Sequence, residues 1–364
     1  MPKYQKISKL LRDKIIVGYY PPESCLPGCR ELADEYGVSY VTATNAIKHL
    51  AAEGLVEPIR GRGVFVRTPS PTNKNTTKSS AQVGVLLPTG GDLFHNFFSA
   101  FLETLELLPR FKAFALSNKV PTDDWTNLER REQISRHLGA GYKALIIDGT
   151  RHFDFKTLHE FSDSMPALTF VMHFESELDF PNANVIIPDY ERAGYLAAEY
   201  LLERGVEQLI VLSFEELDEM KRRSNGSRLD CYDYRILDGI ENKLTANGLN
   251  IAEKCLILRS PADSTAIDES VINLMRKKRC GFIAVGDQRA VQLYQIPTAP
   301  ALLPGRDFYA VGLYNTSWAD KLQPGLTSIS IDEEKIGQLA AKSAIEDWHG
   351  RKITIEPQII LRSS

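Results

Sequence analysis

The sequence predicts an α/β chain in which a small helical head precedes two lobes built on parallel sheets. Three observations carry this. Residues 26–67 compress two short helical patterns and a Gly-rich, Arg-bearing hairpin into one compact unit. The stretch RTPSPTNKNTTKSSAQ, residues 67–82, is rich in Pro, Ser, Thr, Asn and Lys without apolar periodicity, which is the composition of a flexible linker. From residue 83 onward, short apolar runs alternate with amphipathic stretches, the pattern of parallel strands covered by helices on both faces. The boundaries expected are therefore 1–67 for the head, 68–82 for the linker and 83–364 for the two-lobed body.

Composition narrows the class. A chain of 364 residues is too long for one ordinary core. With 43% hydrophobic and 25% charged residues it reads as globular rather than disordered or fibrous. No apolar run has the length of a membrane span, and MPKYQKISKLLRDKIIVGYY lacks the uninterrupted apolar segment of a secretory signal. Five scattered cysteines suit a reducing cytoplasm, and Cys25 and Cys29 have no second pair at metal-ligand spacing. The seven histidines, His95 and His173 among them, show no metal spacing either, so no metal or cofactor is expected. Residues 1–80 hold 12 Lys/Arg against 7 Asp/Glu, whereas the remainder holds 31 against 40. A cationic head on an acidic body fits a nucleic-acid-binding module joined to something else.

Within the head, residues 28–36 read as a short helix with Leu32, Ala33 and Tyr36 inward, ended by Gly37. Ser39 is a good N-cap for the next helix, whose Ala43, Ala46, Ile47 and Leu50 fall at i, i+3, i+4 and i+7. Its other side presents Tyr40, Thr42, Thr44, Asn45 and Lys48. That arrangement is a helix-turn-helix whose second helix enters the major groove. LVEPIRGRGVFVR then reads as a two-stranded wing, with Gly61 and Gly63 allowing the turn and Arg60 and Arg62 at its tip.

On LPGCRELADEYGVS, AIKHLAAEGLV and GRGVFV, residues 4–67 resemble the winged-helix head of the GntR family of bacterial transcription regulators. The resemblance implies that Arg30, the start of the recognition helix and the wing carry the DNA contacts. Where that family usually has Arg after GVS, and often another basic residue four positions on, this chain has Tyr40 and Thr44. Bidentate Arg contacts to guanine are correspondingly scarce. Tyr40, Thr42 and Asn45 suit adenine edges or thymine methyls, which predicts an A/T-leaning half-site. The alternative is that Tyr40 packs and Thr44 is only a solvated helix residue.

The body shows no catalytic signature. LHEFS at Leu158 lacks the second His of a zinc-protease helix, GRGVF belongs to the wing, and no Ser or Cys sits in a nucleophile elbow. No enzyme activity is expected. Several segments, in order over residues 82–364, resemble the periplasmic-binding-protein-like sensor of the LacI family. They are HNFFSAFLETLE, NANVIIPDYERAGYLAAEYLLERGVEQLIVL, YRILDGIENKLTANGL, GFIAVGDQRAVQLY and DFYAVGLYNTSWAD followed by PGLTSISIDEEKIGQLAAKSAI. A GntR head on this body is similar to the arabinose-responsive repressor subgroup.

Ligands of open α/β sheets bind beyond the carboxyl ends of the strands, which selects candidate effector residues. Asp287 follows GFIAVG and matches that family's ligand-binding Asp; its other role would be N-cap of the next helix. Arg235 would give bidentate bonds to hydroxyls or a carboxylate, or form a surface ion pair, and stands one residue further from Gly239 than the common family spacing. Asp189, Asp148 and Asn315 also end strands or open helices. Phe97, Phe98, Tyr314 and Trp318 could stack on a sugar ring, although each aromatic taken singly is more often core. An acidic effector would engage Arg235 and Arg151 instead.

The sequence therefore predicts a cytoplasmic DNA-binding regulator, a repressor and homodimer, on a pseudo-palindromic operator. A monosaccharide or derivative bound between the lobes would control it, coupled loosely through the polar linker. A transport-type binding protein or an enzyme with a DNA-binding head are the competing classes.

Overall fold

A computed structural model describes residues 3–16, 20, 23–52, 54–59, 61–67, 81–87, 95–106, 111–115, 142–149, 167–174, 180–213, 232–260, 267–296 and 301–364. These fall into two compact units. Residues 1–171, 178–185 and 334–352 make the first, and 172–177, 186–333 and 353–364 the second.

The head opens with a helix that the sequence reading did not single out, α1 (Lys3–Ile16). Its signal was present: Ile7, Leu11 and Ile15 recur every four residues and all are buried. They pack with Leu32 and Ala33 of α2 (Cys29–Glu35) and with Ala43, Ala46, Ile47 and Leu50 of α3 (Tyr40–Ala52). Glu31 accepts a bond from the Gly28 N–H at the start of α2, and Gly37, at φ +59°, turns the chain into α3. Strands β1 (Val56–Ile59) and β2 (Gly63–Val66) pair antiparallel, and Gly61 and Gly63 adopt φ +75° and +115° between them. Residues 23–26 line the free side of β2: Leu26 N–H donates to Val64 O (2.7 Å) and Glu23 N–H to Val66 O (2.8 Å). The wing thus gains a third extended segment that tethers the α2 entry.

Next come β3 (Ala81–Leu86), α4 (His95–Glu106), β4 (Phe111–Ala115), β5 (Ala144–Gly149), β6 (Ala167–Phe174) and β7 (Asn184–Pro188). With β13 (Lys352–Ile355) they form a six-stranded sheet of order β13-β7-β6-β5-β3-β4, in which β3 pairs in parallel with β4 and β5. Strand β3 begins at Ala81, inside the stretch expected to be linker. Head and first sheet are not joined by the linker alone: Lys9 Nζ of α1 lies 3.1 Å from Glu103 Oε1 of α4. Both partners are exposed, so this pair contributes at most ~1 kcal/mol.

The second unit contains α5 (Tyr190–Glu203), β8 (Gln208–Ser213), α6 (Tyr232–Ala246), α7 (Ile251–Lys254), β9 (Cys255–Arg259), α8 (Glu269–Met275) and β10 (Cys280–Ala284). A 3-10 helix (Asp287–Tyr294), β11 (Tyr309–Leu313), α9 (Ser317–Lys321) and β12 (Thr327–Ser330) follow. The chain then runs through α10 (Glu333–Ile345) to β13 and β14 (Gln358–Ile360). The sheet order is β14-β12-β11-β10-β8-β9, parallel except for β14 against β12. Strands β8 and β10 are buried throughout, which is why they read as continuous apolar runs rather than alternating ones. Among the described residues no helix is long and apolar enough to cross a membrane, and no group of His, Cys, Asp and Glu could hold a metal ion.

Candidate functional site

The head presents one coherent surface. Helix α3 buries Ala43, Ala46, Ile47 and Leu50, which leaves Tyr40, Val41, Asn45 and Lys48 exposed. Tyr40 is 55% exposed, so the alternative in which it packs is overturned. Ser39 does cap the helix, its Oγ accepting the Thr42 N–H (3.2 Å) and lying 2.8 Å from Thr42 Oγ1. The Thr44 hydroxyl donates to Tyr40 O (2.8 Å), so it is held by its own helix. The hydroxyls of Ser39, Thr42 and Thr44 are thus engaged locally, whereas Asn45 and Lys48 make no hydrogen bond or ion pair with the described residues. Arg30 is exposed on the first turn of α2. Arg62, exposed on the wing, lies 5.8 Å from the Phe65 ring centroid, while Arg60 lies outside the described residues.

In the second unit the carboxyl ends of β10 and β11 converge on one carboxylate. Asp287, 1% exposed, accepts the Ser328 hydroxyl on Oδ1 (2.6 Å) and both the Thr316 N–H (2.5 Å) and hydroxyl (3.0 Å) on Oδ2. Burial pushes its carboxyl up to about 6, against these donors and the nearby Arg362, which hold it down. The N-cap of the following 3-10 helix is Gly286, which makes no side-chain cap bond, so Asp287 is not a helix cap. It ties the β10 turn to the β11 turn and to β12. Tyr314 and Asn315 occupy φ +89° and +51°, two successive non-glycine residues in the left-handed region at the end of β11. Asn315 Oδ1 accepts from Arg362 Nη2 (2.9 Å), and Arg362 Nε donates to Asp320 Oδ1 (2.9 Å).

The remaining candidates are dispersed. Asp189 caps α5, accepting the Arg192 N–H (2.9 Å). Arg235 lies half-buried on α6, and Trp318 half-buried on α9 with Lys321 Nζ 5.4 Å from its ring centroid. Asp148 is buried at the end of β5 in the first unit. Phe97 and Phe98 need correction as stacking residues. Phe97 is 0% exposed, stacked on Phe101 and edge-on to the buried Phe98, so both serve the core. Arg151 lies outside the described residues.

Two residues at the carboxyl edge of this sheet escaped the sequence reading. Arg289, 3% exposed, donates to Ser260 O (2.9 Å) and Val285 O (2.8 Å), joining the ends of β9 and β10. Ser213 ends β8 fully buried, with no hydrogen-bond partner for its hydroxyl among the described residues. Neither carries a sequence signal, since an Arg inside a helix and a Ser ending a strand are ordinary.

A winged helix-turn-helix with an outward polar helix face, set ahead of parallel α/β sheets, is the arrangement of a DNA-binding type of head joined to an α/β body. Residues 3–66 match the family of bacterial regulatory proteins, gntR family, and residues 188–364 match the periplasmic binding protein-like domain. The two matches fall on the head and on the carboxyl-terminal half of the body. It is 23% identical over 389 residues to the arabinose metabolism transcriptional repressor of Geobacillus stearothermophilus, covering 100% of this chain and 98% of that one. The head alone is 38% identical over 69 residues to the transcriptional repressor NagR of Bacillus subtilis, covering 19% of this chain and 28% of NagR. Among solved structures, a LacI family transcriptional regulator from Enterococcus faecium with bound ribose shares the body's fold. Its TM-score is 0.56 at 18% identity, over 78% of this chain and 98% of that one. All three are named as transcription regulators.

Proposed function

We propose that the protein represses transcription as a homodimer on a pseudo-palindromic operator, in the cytoplasm, and that a monosaccharide or sugar derivative sets its affinity for that operator. The observation that carries the reading is the outward face of α3, where Asn45 and Lys48 are left uncommitted opposite a sealed core. Residues 1–67 form the reading head, 68–80 the linker and 81–364 the sensing and dimerising body. Arg30, Arg60, Arg62 and Lys48 supply phosphate contacts, while Tyr40 and Asn45 read an A/T-leaning half-site. Effector recognition is assigned to the carboxyl edge of the second sheet, around Asp287, Tyr314, Asn315 and Trp318. The hydrogen-bonding groups there suit a polyol, and the names and bound ligands of the relatives above agree with a sugar.

Salt-dependent operator binding tests the head. Arg62→Ala should weaken binding to every duplex similarly and make the log Kd versus log salt slope shallower by about 0.9. An unchanged slope would refute the wing assignment. A thermal-shift screen with monosaccharides and sugar acids tests the body, because a ligand of the native state raises apparent stability.

A further inference from the structure

We propose that Val41 is a specificity-determining residue that reads the 5-methyl group of a thymine in each half-site, an inference that rests on the DNA-binding reading above. The outward stripe of α3 is the complement of its core stripe. Val41, Thr44, Asn45 and Lys48 stand at i, i+3, i+4 and i+7, so Val41 opens the same face that carries the uncommitted amide and ammonium. It is 65% exposed, the highest fraction among the large apolar side chains described.

A single exposed valine is ordinary on a protein surface. The neighbours make this one different. Tyr40 beside it is also exposed, and the three aliphatic hydroxyls of that turn are engaged locally: Ser39 Oγ accepts the Thr42 N–H, Thr42 Oγ1 lies 2.8 Å from Ser39 Oγ, and Thr44 donates to Tyr40 O. Beside the Tyr40 phenol, this face of the helix therefore leads with carbon at Val41, and the uncommitted Asn45 amide follows one turn later on the same face. In the major groove the apolar group on a base edge is the thymine C5-methyl. One turn on, the Asn45 amide matches adenine N6 and N7 in bidentate fashion. Side chains four apart on a helix lie about 5–6 Å from one another. Base pairs rise about 3.4 Å, so the thymine and the adenine fall within about two steps.

The test uses the full-length protein and a duplex it selects from a random pool. Each half-site thymine is replaced singly by deoxyuridine, which keeps pairing and the O4 acceptor and removes only the methyl. The expected result is a loss of about four-fold in affinity at one thymine per half-site, the equivalent of one buried methyl at ~0.8 kcal/mol. Val41→Ala should bind the thymine duplex about equally weaker and show no further loss with deoxyuridine there. Alanine is the better helix former at this exposed site, so the variant folds. The inference is overturned if no thymine shows a methyl effect with the wild type, or if Val41→Ala keeps the full deoxyuridine penalty. A selected duplex without methyl sensitivity overturns this inference alone; failure to select any duplex overturns the DNA-binding reading with it.

Discussion

Asp287 shows how one buried charge can be both a liability and a fastener. Its desolvation is opposed by the hydroxyls of Ser328 and Thr316, the Thr316 N–H and the charge of Arg362. Because its folded-state value, about 6, lies above the ordinary 3.8, the folded chain binds more protons between those limits. The stability this group contributes is therefore fully present below about pH 4 and is lost as pH rises through about 6. Asp287→Asn removes the titration while keeping one acceptor and one donor. The difference in urea midpoint, wild type minus variant, should fall between pH 5 and pH 7; a flat difference would contradict the assignment. Ser213 makes the opposite case. Its buried hydroxyl lacks a partner among the described residues, so Ser213→Ala should stabilise the protein by about 1 kcal/mol in denaturant unfolding. A loss of stability would show that the hydroxyl is bonded after all.

At the scale of elements, α5 and α6 cross at near-contact distance between backbones. A Cβ on Gly194 would collide with Ile236 O, and one on Gly239 with Glu191 O and, at 2.7 Å, with Tyr195 N. Glycine in a helix ordinarily costs about 1 kcal/mol relative to alanine, so an unopposed Gly→Ala change would stabilise. Here the sign inverts. Gly194→Ala and Gly239→Ala should each destabilise by about 1–3 kcal/mol or more, because the obstruction is backbone and cannot rotate away. Thermal unfolding of the two variants measures this, and an increase in melting temperature would disprove the close crossing. In the head, the three buried stripes of α1, α2 and α3 meet in one cluster, which is what frees the opposite face of α3 for a groove.

For the whole molecule, the proposed function requires two binding events that share a free energy. A monosaccharide present at about 100 times its Kd should stabilise the native protein by about 2.7 kcal/mol and raise its melting temperature by several degrees. The same sugar should change operator affinity by about 5- to 150-fold, and operator duplex should change sugar affinity by the same factor. A sugar that stabilises the protein without altering duplex binding would separate sensing from DNA control.

Local sequence determined the parts of this protein whose signal is periodic or conformational: the α3 stripe, the glycine turns of the wing, and the apolar runs that became β8, β10 and β11. Even α1 was written there, at Ile7, Leu11 and Ile15, although its polar surroundings hid it. Tertiary structure alone decided what depends on groups far apart in the chain. Asp287 meets Thr316 and Ser328 across 29 and 41 residues, residues 23–26 join the wing, and Phe97 turns into the core. The reason is physical. A side chain's spacing along its own element states which face it occupies, but whether that face meets solvent, backbone or a partner from another strand is set only when the sheets close.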